Sequence, residues 1–145
     1  MTKQEQAVQA ALQQIGQGTI VCAAIREGVI VAAETGRGVA PVLQMYKKGQ
    51  LTGSFLVDKV VGKAAAMVMT RGGVAGCHGI TVSQAALNWF RQWDVPVTCD
   101  HVTDYIVNRT GDGMCPMEQA VLHLKEDRDI VSVLEQTLAR LRNPK

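Results

Sequence analysis

Lys59 and Lys63 lie in the run Phe55-Leu56-Val57-Asp58-Lys59-Val60-Val61-Gly62-Lys63-Ala64-Ala65-Ala66. The run reads as a short apolar strand over 54–57 that feeds directly into a helix over 59–70. Residues four apart share a helix face, so the two ammonium groups would stand side by side. They would also crowd a helix N-terminus, where the macrodipole is positive and amide N–H groups lack partners. Asp58 offers one carboxylate as the N-cap. No second acid is close in the sequence, so the pattern points to a bound anion. The opposing reading is a capped helix with solvated lysines. Val60, Val61, Ala64, Ala65 and Met67 weigh against it, because a helix apolar almost all round has little surface for idle lysines.

Two further segments could carry chemistry. Glu34-Thr35-Gly36-Arg37-Gly38-Val39-Ala40-Pro41 is a turn in which Gly36 and Gly38 let the backbone approach a ligand. Arg37 could grip an anion there through two parallel hydrogen bonds; the opposing reading is a structural glycine-rich turn between strand and helix with an exposed arginine. In Asn108-Arg109-Thr110-Gly111-Asp112-Gly113-Met114-Cys115-Pro116-Met117-Glu118, Cys115 reads as a helix N-cap, Pro116 as the first helical residue and Glu118 as its N3 partner. A thiol at a helix N-terminus can serve as a nucleophile or redox group. The motif holds no histidine to activate it, which leaves two other readings open. One is a ligand-contacting loop (Asn108, Arg109, Asp112, Cys115, Glu118), and the other a plain structural cap.

Cys77-His78 and Cys99-Asp100-His101 bring potential metal ligands to neighbouring strands, but their spacings match no usual zinc signature, so no metal and no cofactor are expected. His123 reads as a mid-helix packing or surface residue. Ser83 reads as a helix cap, since no Ser-centred nucleophile elbow surrounds it.

The elements that must position these groups alternate. Val8, Ala11, Leu12 and Ile15 mark one face of an opening helix closed by Gly16 and Gly18. Two β-rich runs, 19–25 and 29–33, flank the turn Arg26-Glu27-Gly28. A short helix holds Pro41 in its first turn and ends at Gly49. After the 54–57 strand and its helix come a strand over 74–77, a helix over 83–93, and a strand over 96–99. Helices from Pro116 and from about Arg128 close the chain, the last striped by Ile130, Val133, Leu134, Leu138 and Leu141. The order predicts right-handed crossovers, a mixed, partly parallel sheet and helices on both faces.

The 145 residues suit a single domain, 1–145, able to bury a substantial core. A net charge of +2, without a basic stripe, argues against nucleic acid as a partner, and 4% aromatic residues leave little for base stacking. The N-terminus is polar, and no apolar run approaches the roughly 18 residues that span a bilayer, so a cytoplasmic protein without membrane contact is expected. Four widely spaced cysteines without a Cys-x-x-Cys pair suggest free thiols.

Three motifs, Gly-Arg-Gly-Val-Ala-Pro, Val-Asp-Lys-Val-Val-Gly-Lys-Ala-Ala-Ala and Asn-Arg-Thr-Gly-Asp-Gly-Met-Cys-Pro-Met-Glu, occur in this order over roughly residues 15–125. They resemble a family of uncharacterised prokaryotic proteins, a domain of unknown function placed in the cytidine-deaminase-like superfamily. The resemblance implies an α/β, three-layer α-β-α sandwich around a mixed five-stranded sheet. Zinc deaminases of that superfamily hold their metal at two helix N-termini, with His-Ala-Glu or Cys-Ala-Glu on one and Pro-Cys-x-x-Cys on the other. Here the corresponding stretches, 36–41 and 57–63, contain no Cys, His or Glu. Zinc-dependent deamination is therefore not expected.

The expected function is metal-independent binding of a phosphorylated or nucleotide-like anion in a cleft lined by Gly36, Arg37, Gly38, Asp58, Lys59 and Lys63. The 111–118 loop is a candidate cover. The alternative is an enzyme in the same cleft, using Cys115 as nucleophile or Lys59 or Lys63 as base, with Asp58 or Glu118 shuttling protons. Analogy with the superfamily also suggests a homo-oligomer.

Overall fold

The computed structural model describes residues 1–142. Its first helix, α1 (Lys3–Gly16), is capped by the Thr2 hydroxyl, which accepts from the Glu5 amide. A hairpin of β1 (Cys22–Arg26) and β2 (Val29–Glu34) follows, turning through Glu27 and Gly28 with positive φ at both. Next come α2 (Ala40–Lys47), β3 (Phe55–Val61), α3 (Lys63–Gly72), β4 (Gly76–Ser83), α4 (Gln84–Gln92) and β5 (Val97–Thr103). Two helices end the described chain, α5 (Pro116–Val121) and α6 (Ile130–Arg142).

The strands form one open, mixed five-stranded sheet in the order β2-β1-β3-β4-β5. Strand β1 is antiparallel to both β2 and β3, whereas β3, β4 and β5 are mutually parallel. Hence β2, β3, β4 and β5 all point the same way, and their carboxyl ends share one edge of the sheet. The expected sandwich is present but lopsided. Helix α1 covers one face alone, packing Ala7, Ala11 and Ile15 on Ala23, Ile25 and Val57. Residues of α2, α3, α4, α5 and α6 all join the larger core on the other face.

Helix α3 is the centre of that core. Ala64 through Met69 are all buried, because β3 lies beneath it and α2, α4, α5 and α6 surround it. It ends where Gly73 takes a left-handed conformation (φ 81°) that a residue with a Cβ adopts at a cost.

Several element limits differ from the sequence expectation. Strand β3 continues through Asp58 and Lys59 to Val61, so the helix begins at Lys63 rather than Lys59. The β-branched pair Val60-Val61 extends the strand, and pairing with Thr81 and Val82 of β4 secures it. Asp58 is thus a strand residue, and Gly62 is the N-cap of α3. Strands β4 and β5 likewise run on to Ser83 and Thr103, which puts His78, Asp100 and His101 within strands rather than after them. His123 lies beyond the end of α5, exposed in a turn.

Candidate functional site

The sheet topology delivers all three motif segments to the carboxyl edge. The 35–39 turn follows β2, Gly62 and Lys63 follow β3, and the segment from Asp104 to Glu118 follows β5. Contact between them is direct at one point. Glu118 of α5 places both carboxylate oxygens on the first turn of α3, Oε1 accepting from the Lys63 amide (2.7 Å) and Oε2 from the Ala64 amide (2.9 Å). The acid that the local sequence lacks is therefore supplied by the chain itself, from far along it. Gly62 makes room for it, since a Cβ there would collide with the Glu118 carboxylate.

Lys63 answers in the opposite direction. Its Nζ donates to the carbonyls of Leu122 (3.1 Å) and Leu124 (2.7 Å), the groups that end α5 and begin the next turn. The ammonium also lies 5.6 Å from the centroid of the Trp89 ring, within cation–π range. The Trp89 indole N–H is itself held by the Thr70 hydroxyl at 2.9 Å, which in turn donates to Asp127 (2.9 Å). Burial pushes the Glu118 carboxyl above its ordinary range, against the amides of Ala64 and Lys63 and the Lys63 charge, which pull it down. Burial lowers Lys63, and Glu118 opposes that shift. Both charges are thus held at a desolvation cost that their mutual contacts offset in part.

Asp58 sits deeper. It pairs across the sheet with Cys22 on one side and Gly79 on the other, on the face that α3 covers, and only 6% of its surface is exposed. Burial raises its carboxyl to about 7, while the Lys59 and Val60 amides pull in the opposite direction. Burial also pushes up the thiol of Cys22, with Asp58 and Glu34 adding to the effect. Cys77 is pushed up by burial, then by Asp58 and Cys22. Both buried thiols are thereby kept as unreactive neutral groups.

The remaining candidates do not converge. Lys59 is exposed, and strand alternation turns it away from Asp58, so it shares no helix face with Lys63. Arg37 is exposed in a turn whose glycines, Gly36 and Gly38, take φ of 111° and 64°. Among the described residues neither Arg37 nor Lys59 makes a side-chain hydrogen bond or ion pair. Asn108 and Asp112 serve their own loop. Asn108 Nδ2 donates to Asp112 Oδ1 (2.9 Å), Thr110 donates to the same oxygen (2.5 Å), and the Asp112 amide donates to Asn108 Oδ1 (3.2 Å). Those bonds, Thr110 first and Asn108 second, hold the Asp112 carboxyl below its ordinary range. Arg109 is exposed. Cys115 occupies the N-cap position of α5 without a side-chain cap bond, half-buried against the core.

Two open hollows flank these motifs. One of about 330 Å³ lies between α5 and α6, and one of about 300 Å³ lies between α2 and α6 beside Thr35 and Pro41. Neither reaches Lys59, Lys63 or Asp58. Among the described residues no group of three or more His, Cys, Asp or Glu side chains is placed to hold a metal. Among the described residues no helix is long and apolar enough to cross a membrane.

The reach of Glu118 onto α3 escapes sequence reasoning, which paired it with Cys115 at the start of its own helix. A signal was nonetheless present. Helix α3 begins at a glycine with no capping side chain, and a buried helix start must find an acceptor elsewhere.

The chain is thus an α/β protein whose described residues form a mixed, open five-stranded sheet, six helices and an internally capped helix pair at the carboxyl edge. It belongs to the TM1506 family, a domain of unknown function (DUF1893), whose model matches residues 9–138. A solved structure similar to it is the crystal structure of a DUF1893 family protein (TM1506) from Thermotoga maritima. The two share 24% identity at a TM-score of 0.81, over 91% of this chain and 90% of the other. No curated protein matches.

Proposed function

We propose that this protein binds a small phosphorylated or nucleotide-like anion at the carboxyl edge of its sheet, without a metal, on a cytidine-deaminase-like fold. The observation that carries the reading is the seat of Glu118. The first turn of α3 takes a carboxylate on two adjacent amides, at the edge where the 35–39 turn also emerges. Amides at a helix start favour anions by dipole and by hydrogen bonding together. Arg37, exposed on the 35–39 turn at the same edge, is the cation available there for a bidentate grip. Lys59 falls outside this arrangement because of its place in β3. The deaminase-like superfamily enters on the motif resemblance, and the absence of Cys, His and Glu from 36–41 and 57–63 argues against zinc chemistry there.

The test is a thermal-shift and calorimetric titration with inorganic phosphate, ADP and glucose 6-phosphate. Stabilisation by at least one of them, lost in Arg37→Ala, is the expected result. No shift with any of the three would sink the reading.

A second reading is an enzyme in which Asp58, buried beneath α3 behind the carboxyl edge, shuttles protons. A buried carboxyl raised to about 7 is poised for general acid–base work near neutrality. Ligand binding would then be accompanied by proton uptake or release near pH 7, visible by calorimetry in buffers of different ionisation enthalpy and absent in Asp58→Asn. Binding that moves no proton in either protein would exclude this role.

A further inference from the structure

We propose that α5 is a strap over the N-terminus of α3, latched by Glu118 and Lys63, whose release governs access to the carboxyl edge. Only the link to access rests on the binding reading above. The latch itself rests on geometry.

Helix α5 spans only Pro116 to Val121, far shorter than a helix that is stable alone, so it persists because it is docked. Its apolar footing is the buried side chains of Met117 and Val121, with Cys115 and Leu124 packed at its two ends and α6 alongside. Against that footing stand four hydrogen bonds, each with a charged partner. Two run from α3 amides to Glu118 and two from the Lys63 ammonium to the carbonyls at the end of α5. Each helix end is closed by the other helix's charged side chain, so losing either side chain frees groups on both elements. Upstream, the strap is tied to the 104–114 loop, whose own ties are internal: the Val107–Met114 bridge, the Asn108–Asp112 ring, and the Cys115 amide to the Ile106 carbonyl at 2.8 Å. That loop can therefore travel with α5 as a unit. Downstream, Asp127 is anchored to Thr70, which fixes the far end of the strap.

Both charges are held partly desolvated, so the hydrogen bonds that close the latch are offset in part by that burial cost. Release would uncover the Lys63 and Ala64 amides, the Trp89 face and the half-buried Cys115. The strap is thus an intramolecular occupant of the place where the external anion is proposed to act.

Cys115, half-buried on the strap, is a built-in reporter, read site by site against the fully buried Cys22 and Cys77 and the half-buried Cys99 of β5. The experiment measures site-resolved thiol modification by mass spectrometry, and amide hydrogen exchange, on the full chain as wild type, Glu118→Gln and Lys63→Met. In both variants Cys115 modification and exchange over 104–124 should rise about tenfold to a hundredfold, the span expected when hydrogen bonds to a charged group are lost. Exchange in β4 and α4 should stay unchanged. Unchanged rates in both variants would overturn the latch, as would Cys22 and Cys77 becoming reactive in step with Cys115, which signals general loosening. Inorganic phosphate added to the wild type should accelerate Cys115 modification. If the variants open and phosphate does nothing, the latch stands and its link to anion access falls.

Discussion

Lys63 and Glu118 cap each other's helices. The Glu118 carboxylate closes the amino end of α3, and the Lys63 ammonium closes the carboxyl end of α5. The two residues exchange partners through the backbone as much as through their charges. Their coupling therefore exceeds what a surface ion pair contributes, because the α3 amides, that of Ala64 buried, lose their acceptor when Glu118 is cut and the Leu122 and Leu124 carbonyls lose a donor when Lys63 is cut.

Truncation of either residue should be costly, and truncation of both less than the sum. Glu118→Ala leaves two α3 amides unpaired, and Lys63→Met leaves the Leu122 and Leu124 carbonyls without their donor. Each should cost about 1.5–3 kcal/mol in urea denaturation. In the double mutant the costs should fall short of additive by about 0.5 kcal/mol or more. Strict additivity would mean that the two caps are independent.

Gly62 gives a second handle on the same contact. Its φ of −98° suits any residue, so Gly62→Ala carries no backbone strain. The penalty comes from the Cβ, which would land on the Glu118 carboxylate. The substitution should destabilise the wild type clearly, by about 1–3 kcal/mol as overpacking does. It should cost far less in a Glu118→Ala background. Equal costs in both backgrounds would place the clash elsewhere.

Asp58 should make stability fall as pH rises. Its carboxyl moves from 3.8 to about 7 on folding, so the native state holds the extra proton between those values. That contribution is fully present below about pH 4 and is lost as pH rises through 7. The rise corresponds to about 4 kcal/mol as an order of magnitude. Asp58→Asn mimics the neutral acid without titrating. It should match the wild type near pH 4.5 and exceed it by up to about 4 kcal/mol near pH 8.5 in paired denaturation curves. A variant weaker than the wild type at both pH values would show that the ionised form is the one the fold prefers.

Much of the architecture is legible in periodicity and punctuation. The Ala11 and Ile15 stripe, the glycine-marked hairpin, the Ser83 cap and the Pro116 helix start all act locally, and each appears where residue type demands it. The limits that differ are set by partners. Lys59 and Val60 read as helical until the β4 ladder, which pairs Val60, and the bond from the Lys59 amide to the Val21 carbonyl keep them extended. The site follows the same division. That the 35–39, 57–63 and 108–118 segments belong to one edge follows from the order of elements. That Glu118 serves α3 rather than its own helix depends on a tertiary approach of residues 55 positions apart, for which no local pattern exists.

Arg37 and Lys59 provide the sharpest separation between binding and folding. Both are exposed and free of side-chain partners among the described residues, so Arg37→Ala and Lys59→Ala should each leave stability within about 0.5 kcal/mol of the wild type. Their positions differ in consequence. Arg37 stands on the turn after β2, at the edge where α3 begins, whereas Lys59 lies inside β3 and turns away from the buried face. If an anion is recognised at the carboxyl edge, stabilisation by inorganic phosphate or ADP should disappear in Arg37→Ala and persist in Lys59→Ala. The response should also weaken with added salt, since a grip made by an exposed guanidinium is screened within about 8–10 Å at physiological ionic strength. The measurement is a thermal-shift series at two salt concentrations for the three proteins. Loss of the response in Lys59→Ala instead would move the recognition site to the other face of the sheet. A response intact in both variants would leave the helix start alone as the anion's seat, with Glu118 as its competitor.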